Sequence, residues 1–280
     1  MPEHRSRFGA FIQAAVGLAV SAVFVLPLYW AFVASLQKSG APPTGTVAWW
    51  EPDPQWSNYA EIFDVVPLAK YTRNSVFVVA FAVPITVITA SLGGFALSQL
   101  APAARSRLIN VSVGLMLVPG AAVWLFRFQL LVWLNLLDTL WALILPAFAA
   151  SSPLFVLLFY WNFRRIPDET FDAARLDGAG AWKIWSRLAL PLARPTALGV
   201  SVLAFVMYWS DFISPVLFIY NPQAYTLPIG LQLLNQVGST NWPILMAGAI
   251  FMTAPVLAFF IMVQHFFLND LSLAGLFDRN

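Results

Sequence analysis

Long stretches without a charged side chain are the feature that most constrains this chain. Asp, Glu, Lys and Arg are absent from 8–37, 74–104, 108–126, 139–163, 195–210 and 212–269. About 20 apolar residues cross the hydrocarbon core of a bilayer as a helix. The last stretch is long enough for the end of one span, an outer loop and a further span. The pattern therefore predicts six transmembrane helices, near 11–36, 74–99, 107–126, 139–162, 196–220 and 243–267.

The composition supports an all-α integral membrane protein. Hydrophobic residues make up 60% of the chain and charged residues 10%, whereas soluble domains are about 25% charged. Transmembrane strands would be about 9–11 residues long with strict alternation, and these runs are longer and apolar on every face. Pro27, Pro84 and Pro255 fall inside predicted spans, where neighbouring helices can satisfy the freed carbonyl groups. We therefore expect kinked helices.

The sequence carries little of the chemistry that enzymes use. It has no Cys, and its two His residues, His4 and His265, are far apart. Thiolate sites, cysteine nucleophiles and histidine metal sites are therefore not expected. The phosphate-binding pattern Gly-x-x-x-x-Gly-Lys-Ser/Thr is also missing from the sequence. We predict no catalytic residue, no metal site and no cofactor in this chain.

The basic residues predict the orientation of the chain. Lys and Arg are enriched on the cytoplasmic side of membrane proteins. With the N-terminus inside, the four outer basic residues are Lys38, Lys70, Arg73 and Arg127. The eleven inner ones are Arg5, Arg7, Arg105, Arg107, Arg164, Arg165, Arg175, Lys183, Arg187, Arg194 and Arg279. Both termini are therefore predicted to be cytoplasmic, with outer loops at 37–73 and 221–242 and an inner loop at 164–195. The first run is too long for a secretory leader, so we interpret it as a retained helix.

The inner loop contains the signals of a short helix. Pro167 suits a first helical turn, and Asp168 and Glu169 place negative charge at the positive end of the helix dipole. Gly178 and Gly180 then end it. A helix of about ten residues is unstable alone in water, so it needs a partner. A second amphipathic segment, 181–190, ends at Pro191. Charge pattern alone also fits a segment lying on the inner membrane surface.

The same loop resembles the EAA motif of ABC-importer permeases. That motif reads Glu-Ala-Ala, three residues, Gly, nine residues, Ile, one residue and Leu-Pro. The chain has Asp172-Ala173-Ala174, then Gly178, then Leu188-Ala189-Leu190-Pro191 at the same spacing. Further similarity to the carbohydrate, maltose-type branch runs through Leu137-Asp138-Thr139, Trp209-Ser210-Asp211-Phe212 and 226–231. Ser210 stands where that branch commonly has Asn, and the C-terminal tail also departs from its pattern.

The resemblance implies the type I ABC importer permease fold, six transmembrane helices with a cytoplasmic coupling helix, in a bacterial or archaeal cytoplasmic membrane. It implies two ATP-binding subunits (or a homodimer of one), a second homologous permease subunit and an extracytoplasmic solute-binding protein. ATP and Mg would be bound by the partner subunits. It places ATPase-subunit contacts at Asp168, Glu169, Asp172, Ala173, Ala174, Asp177, Gly178, Leu190 and Pro191.

Helix five carries the candidate substrate path. Asp211 is a charged residue deep in a predicted span, where charge is costly and a functional or paired role is the default hypothesis. Reaching the outer lipid headgroups or capping a neighbouring helix end is an equal alternative. A sugar stacks on aromatic rings and hydrogen-bonds to polar groups, so we expect the path at Phe205, Tyr208, Trp209, Asp211 and Phe212. Aromatic residues at this spacing also fit ordinary packing.

The outer segment 222–241 is polar but uncharged. The resemblance suggests that it faces the binding protein, with contacts at Gln232, Asn235 and Gln236; a neutral outer loop is the alternative. The other outer loop, at 37–73, fits either a solvated connector or a docking surface.

The sequence predicts a sugar-importer permease subunit that is not itself an enzyme. The rival hypotheses are an ABC permease for another solute, such as a glycerol phosphodiester, an ion-gradient-driven transporter, or a membrane-embedded enzyme. An ion-driven transporter would favour more intramembrane carboxylates and matched repeats.

Overall fold

A computed structural model describes residues 7–42, 48–237 and 241–277 of the chain. Arg5, Arg279, Ser239 and Thr240 lie outside these ranges. Every regular element within them is helical. The α-helices are α1 (Arg7–Ser35), α2 (Asn58–Val65), α3 (Leu68–Ser98), α4 (Pro102–Met116), α5 (Gly120–Trp133), α6 (Leu140–Ile144), α7 (Pro153–Phe163), α8 (Asp168–Leu176), α9 (Ala181–Ile184), α10 (Leu190–Leu192), α11 (Arg194–Trp209), α12 (Ile213–Phe218), α13 (Leu227–Val237) and α14 (Trp242–Phe277).

Shorter helical turns join some of these elements. A 3-10 segment, Leu145–Ala149, follows α6, a π-helical segment, Trp185–Ala189, joins α9 to α10, and a 3-10 turn, Pro222–Ala224, precedes α13. The three prolines predicted inside spans lie inside α1, α3 and α14. The fold class is thus the predicted all-α one.

Four stretches of the described chain are long and apolar enough to cross a membrane: Phe11–Ser35, Leu68–Ser98, Leu140–Phe163 and Trp242–His265. Two bent helix pairs bring the number to six if each pair is one span. They are α4 with α5, bent by 97°, and the 181–192 segment with α11, bent by 81°.

Two predicted spans are interrupted where the sequence suggested continuous helices. The prediction over 107–126 runs through Pro119, but α4 ends at Met116 and α5 begins at Gly120. Proline lacks the N–H of a helix interior and disfavours the α conformation in the residue before it, so the chain turns here. The prediction over 196–220 is also divided, since α11 ends at Trp209 and α12 begins at Ile213.

The predicted span 139–162 contains a further break. Ala150 and Ser151 both adopt left-handed backbone conformations, at φ 62° and 58°, a region that is sterically costly for residues with a Cβ. They end the 3-10 segment before α7. The side-chain oxygen of Ser152 then accepts a hydrogen bond from the N–H of Leu154 at 3.3 Å, and Pro153 occupies the first turn. Ser and Pro here are ordinary helix-start residues.

The described residues form two compact units. The first contains residues up to Leu68 together with Gly230–Ala254. Its polar centre is Asn58, a fully buried side chain that donates hydrogen bonds to the carbonyls of Ser35 and Gln37, both at 2.8 Å. Tyr59 shares a 2.7 Å hydrogen bond with Ser35. Burial raises the pKa of the Tyr59 hydroxyl above its ordinary value, against the opposing effect of that hydrogen bond.

The second unit contains Ala69–Ile229 and the residues from Pro255 onward. Its main hydrophobic cluster joins α3, α7, α8, α11 and the π-helical segment. Close contact between α3 and α7 requires Gly94, because a Cβ at this position would lie 2.6 Å from the Cβ of Phe159. This cluster positions the base of the loop that carries the EAA-like motif.

Candidate functional site

Helix α8 is held to its own chain by one aromatic side chain. Phe171 is 2% exposed and belongs to the main cluster of the second unit. Its ring lies 6.1 Å from that of Phe95, which in turn makes an edge contact with Phe163 at 5.9 Å. Ala174 is half-buried and packs against the same cluster. This side of α8 therefore faces its own chain.

The other side of α8 is open to solvent. The exposed residues of α8 and of the two positions after it are Asp168, Glu169, Asp172, Ala173, Arg175, Leu176, Asp177 and Gly178. Leu176 is 89% exposed, so a large apolar side chain projects from the helix without contacting the chain's own core. Gly178, two residues after the last helical residue, adopts a left-handed φ of 76°, as predicted from a C-terminal glycine. The motif thus forms a nine-residue helix with one covered and one uncovered side.

Two polar contacts join α8 to other segments, and a third lies within the helix. Arg164 pairs with Asp168 at 3.3 Å, and Arg175 pairs with Asp172 at 2.5 Å. Arg175 also donates a hydrogen bond to the side-chain oxygen of Gln99, just beyond the end of α3. Exposed ion pairs contribute little stability, typically below about 1 kcal/mol. Their effect here is to hold a helix that already has Phe171 in the core.

Leu190 and Pro191, the end of the motif, lie in α10. Leu190 packs against the main cluster and Pro191 is half-buried. The helical segment continues through Pro191 to Leu192, one residue beyond the predicted end, before the bend into α11. These two residues therefore position the loop rather than extend its exposed face.

The aromatic residues of α11 that were predicted to line the solute path contact other side chains of the same chain. The Tyr208 hydroxyl shares a 2.7 Å hydrogen bond with Ser151, which shares one of 2.6 Å with Thr86. The Phe205 ring is stacked on those of Trp209 and Phe259, at 5.6 and 4.3 Å. These contacts favour packing for Phe205, Tyr208 and Trp209, one of the two interpretations left open by the sequence.

Asp211 lies in the break between α11 and α12, and its carboxylate accepts a hydrogen bond from the N–H of Ser214 at 3.1 Å. It therefore caps the start of α12, the structural alternative considered for it. Phe212 is half-buried beside it. Asp211 and Phe212 lie in the irregular segment between two helices, within an apolar region. Such backbone is tolerated at membrane depth where it is buried in protein or lines a cavity.

Sequence reasoning missed the cation near this break. Arg127 was expected in an outer segment, but it lies within α5. It donates hydrogen bonds to Ser214 Oγ at 3.2 Å and to the carbonyl of Ala142 at 2.8 Å, and its guanidinium lies 4.7 Å from the Phe218 ring centroid. It also interacts electrostatically with Asp211. Asp211 is therefore accompanied by a second charged residue in this region, which the sequence analysis did not place there.

The three residues predicted to contact a binding protein lie on α13. Gln232, Asn235 and Gln236 are all exposed, whereas Leu234 is fully buried. The spacing of three and four residues places the polar side chains on one face of the helix. The segment expected as a loop thus contains an amphipathic helix, α13. Within the described part of the chain, no three His, Asp or Glu side chains could hold a metal ion together.

The chain thus combines several apolar, membrane-spanning helices with a short amphipathic helix, α8, that is covered on one side only. Known proteins share this combination. Residues 7–268 match the family described as "Binding-protein-dependent transport system inner membrane component". The chain belongs to this family of multi-pass inner membrane proteins. It is an ABC importer permease subunit and not an enzyme itself, since separate subunits supply ATP hydrolysis.

Curated relatives extend over most of the chain. Sulfoquinovosyl glycerol transport system permease protein SmoH of Agrobacterium fabrum is 28% identical, over 95% of this chain and 92% of its own length. Arabinooligosaccharides transport system permease protein AraQ of Halalkalibacterium halodurans is 31% identical over 72% of each. Galactooligosaccharides transport system permease protein GanQ of Bacillus subtilis is 25% identical over 91% of each.

A solved structure supports the fold. It is a bacterial ABC transporter involved in the import of the acidic polysaccharide alginate; one of its chains superimposes with a TM-score of 0.74 at 21% identity, covering 95% of this chain and 99% of that one. The type I importer permease fold predicted from the sequence is thereby confirmed.

Proposed function

We propose that this permease subunit translocates a sugar or sugar-like solute that an extracytoplasmic binding protein delivers. The similar proteins named for sugar-containing solutes support this substrate class, and they cover most of the chain. Family membership argues against an ion-gradient-driven transporter. A non-sugar solute such as a glycerol phosphodiester is the second candidate, because membership of the family does not by itself specify the solute.

The proposed coupling role is inferred from the two sides of α8, one covered by the chain and one uncovered. Phe171 ties the helix to the main cluster, while Leu176, Ala173 and the acidic residues are left uncovered. An uncovered apolar side chain on a short helix needs a partner. In the proposal that partner is an ATP-binding subunit, and its closure moves α8 together with the core attached to it.

The proposed complex contains two ATP-binding subunits, or a homodimer of one, and a second homologous permease subunit. ATP and its magnesium ion bind to those ATP-binding subunits. The exposed amides of Gln232, Asn235 and Gln236 on α13 face the binding protein. Asp211 and Phe212, in the α11–α12 break, are better candidates for the solute path than Phe205, Tyr208 and Trp209, whose contacts favour packing.

The proposed topology has six crossings, with each bent helix pair counted as one. The excess of Lys and Arg in the segments around α8 favours an orientation with α8 and both termini on the cytoplasmic side. The α13 face then lies outside, where a binding protein can reach it.

Proteoliposomes containing the full complex test the proposed function. Binding protein is added outside, ATP is enclosed, and uptake is measured for mono- and oligosaccharides, a sugar–glycerol conjugate and a glycerol phosphodiester. We expect uptake of a sugar that requires both ATP and binding protein. Uptake of the phosphodiester alone, or uptake driven by an ion gradient without ATP, would contradict the proposal.

Two substitutions sharpen this experiment. Ala173→Glu places charge on the uncovered side of α8 and should abolish ATP-driven uptake without affecting the fold. Ala104→Glu, at an exposed position near the start of α4, is the matched control and should keep it. Ala174→Glu is a poorer test, because Ala174 packs against the chain's own core.

A further inference from the structure

An apolar groove lies where α3 ends and the chain re-enters the protein through α9. It is lined by Leu92, Phe95, Ala96, Gln99, Ala181, Trp182 and Trp185, and its volume is about 410 Å³. Leu92 and Phe95 belong to the last turns of a helix that is long and apolar enough to span the membrane. Trp182 is 67% exposed, and tryptophan is enriched where a span meets the membrane–water interface.

One residue that lines the groove carries a hydrogen-bond donor without an acceptor. Trp185 is 5% exposed, and its indole Nε1–H is buried with no hydrogen-bond partner within the described part of the chain. Buried donors without partners are uncommon in folded proteins. Trp185 also begins the π-helical segment of this loop, and such segments frequently occur at functional sites. The groove is therefore apolar, and one of its lining residues has an unused donor.

A second, polar cavity adjoins this groove at Gln99, which lines both. Its volume is about 420 Å³, and its lining includes Arg105, Arg164 and Arg175. Arg164 and Arg175 are each paired with an aspartate of α8. The Arg105 side chain has neither a hydrogen bond nor an ion pair in the residues that the structure describes. Its positive charge is therefore available to an anion.

We propose that the two cavities bind one anionic phospholipid of the leaflet on the α8 side. Its phosphate lies at Arg105, a glycerol-ester carbonyl accepts the Nε1–H of Trp185, and an acyl chain fills the groove beside Leu92 and Ala96. An anionic lipid matches the order of these groups. The unpaired Arg105 suits its phosphate, the amide of Gln99 lies next, and the apolar walls of the groove suit its acyl chain. The lipid contacts the α3 end where Gln99 holds Arg175 of α8. This site does not depend on which solute is transported.

Native mass spectrometry of the detergent-purified complex tests the proposal. The complex is titrated with dioleoylphosphatidylglycerol and, separately, with the zwitterionic dioleoylphosphatidylcholine. Ala96→Phe fills the groove from an exposed position, and Ala80→Phe is the matched control at another exposed position of α3. Trp185→Phe removes only the indole donor, and Arg105→Gln removes the charge. Circular dichroism checks the helix content of each variant.

We expect the wild type and Ala80→Phe to bind one phosphatidylglycerol tightly and Ala96→Phe to lose it. Trp185→Phe should lower the affinity for both lipids about two- to tenfold, the usual effect of losing one hydrogen bond. Arg105→Gln should remove most of the preference for phosphatidylglycerol. Equal lipid binding by Ala96→Phe and Ala80→Phe would overturn the proposal. So would loss of an ATP-binding subunit from Ala96→Phe with lipid binding unchanged, since the groove would then be a protein-docking surface.

Discussion

Leu176→Ala isolates the docking of α8 from the stability of the chain. The side chain is 89% exposed, so the truncation removes almost no burial within the permease itself. If a partner subunit covers it completely, the substitution removes three buried carbon atoms. At about 0.8 kcal/mol for each, the cost is roughly 2.4 kcal/mol of binding free energy. Since about 1.4 kcal/mol is tenfold, the ATP-binding subunit should bind about 50-fold more weakly.

Two measurements on the same preparation check this prediction. Biolayer interferometry gives the affinity of the ATP-binding subunit for the detergent-purified permease, and thermal unfolding gives the midpoint of the permease alone. Leu117→Ala is the matched control, because Leu117 is 82% exposed in the α4–α5 connection. We expect Leu176→Ala to bind the ATP-binding subunit more weakly while its unfolding midpoint is unchanged. Leu117→Ala should keep wild-type binding. Affinity within twofold of the wild type, or an equal loss in Leu117→Ala, would refute the reasoning.

Three further substitutions test the packing of the second unit. Gly94→Ala should lower the unfolding midpoint by the equivalent of about 1–3 kcal/mol, because its Cβ would overlap that of Phe159; an unchanged midpoint would mean that α3 and α7 are less closely packed. Tyr208→Phe removes the hydroxyl bonded to Ser151 and should cost about 1 kcal/mol, read by chemical denaturation, with normal uptake; lost uptake at wild-type stability would give the hydroxyl a role in transport. Asp211→Ala removes the cap of α12 and should cost about 1 kcal/mol, whereas Asp211→Asn keeps an acceptor; equal stability of both variants would exclude capping.

Local signals predicted α8 well. Pro167 and Gly178 mark its ends in the sequence, and the structure has the helix between them. Which apolar residue faces the core was not predictable, because Phe171 and Leu176 both suit a short amphipathic helix. That choice depends on Phe95, 76 residues away in the chain, whose ring packs against Phe171. Tertiary contacts of this kind leave no trace in local periodicity.

The extension of α5 past the predicted end at 126 has a related cause. A charged residue interrupts an apolar run, so the charge pattern alone ends the predicted span at 126, just before Arg127. The structure compensates Arg127 with Ser214, the carbonyl of Ala142 and the Phe218 ring. None of these partners is near it in sequence. For α13, in contrast, apolar and polar residues recur at helical spacing in the sequence itself. This helix was therefore predictable from the local pattern, although a loop was expected there.

Cysteine cross-linking tests the proposed coupling role of α8 most directly, because the chain has no cysteine of its own. Ala173→Cys and Asn235→Cys introduce single thiols at exposed positions of α8 and α13. A short cross-linker with a maleimide at one end, which reacts with that thiol, and a photoreactive diazirine at the other, which needs no thiol on the partner, is added to membranes that contain the whole transporter. We predict that Ala173→Cys cross-links to an ATP-binding subunit and that Asn235→Cys does not. Cross-linking of the ATP-binding subunit through Asn235→Cys but not through Ala173→Cys would contradict the account.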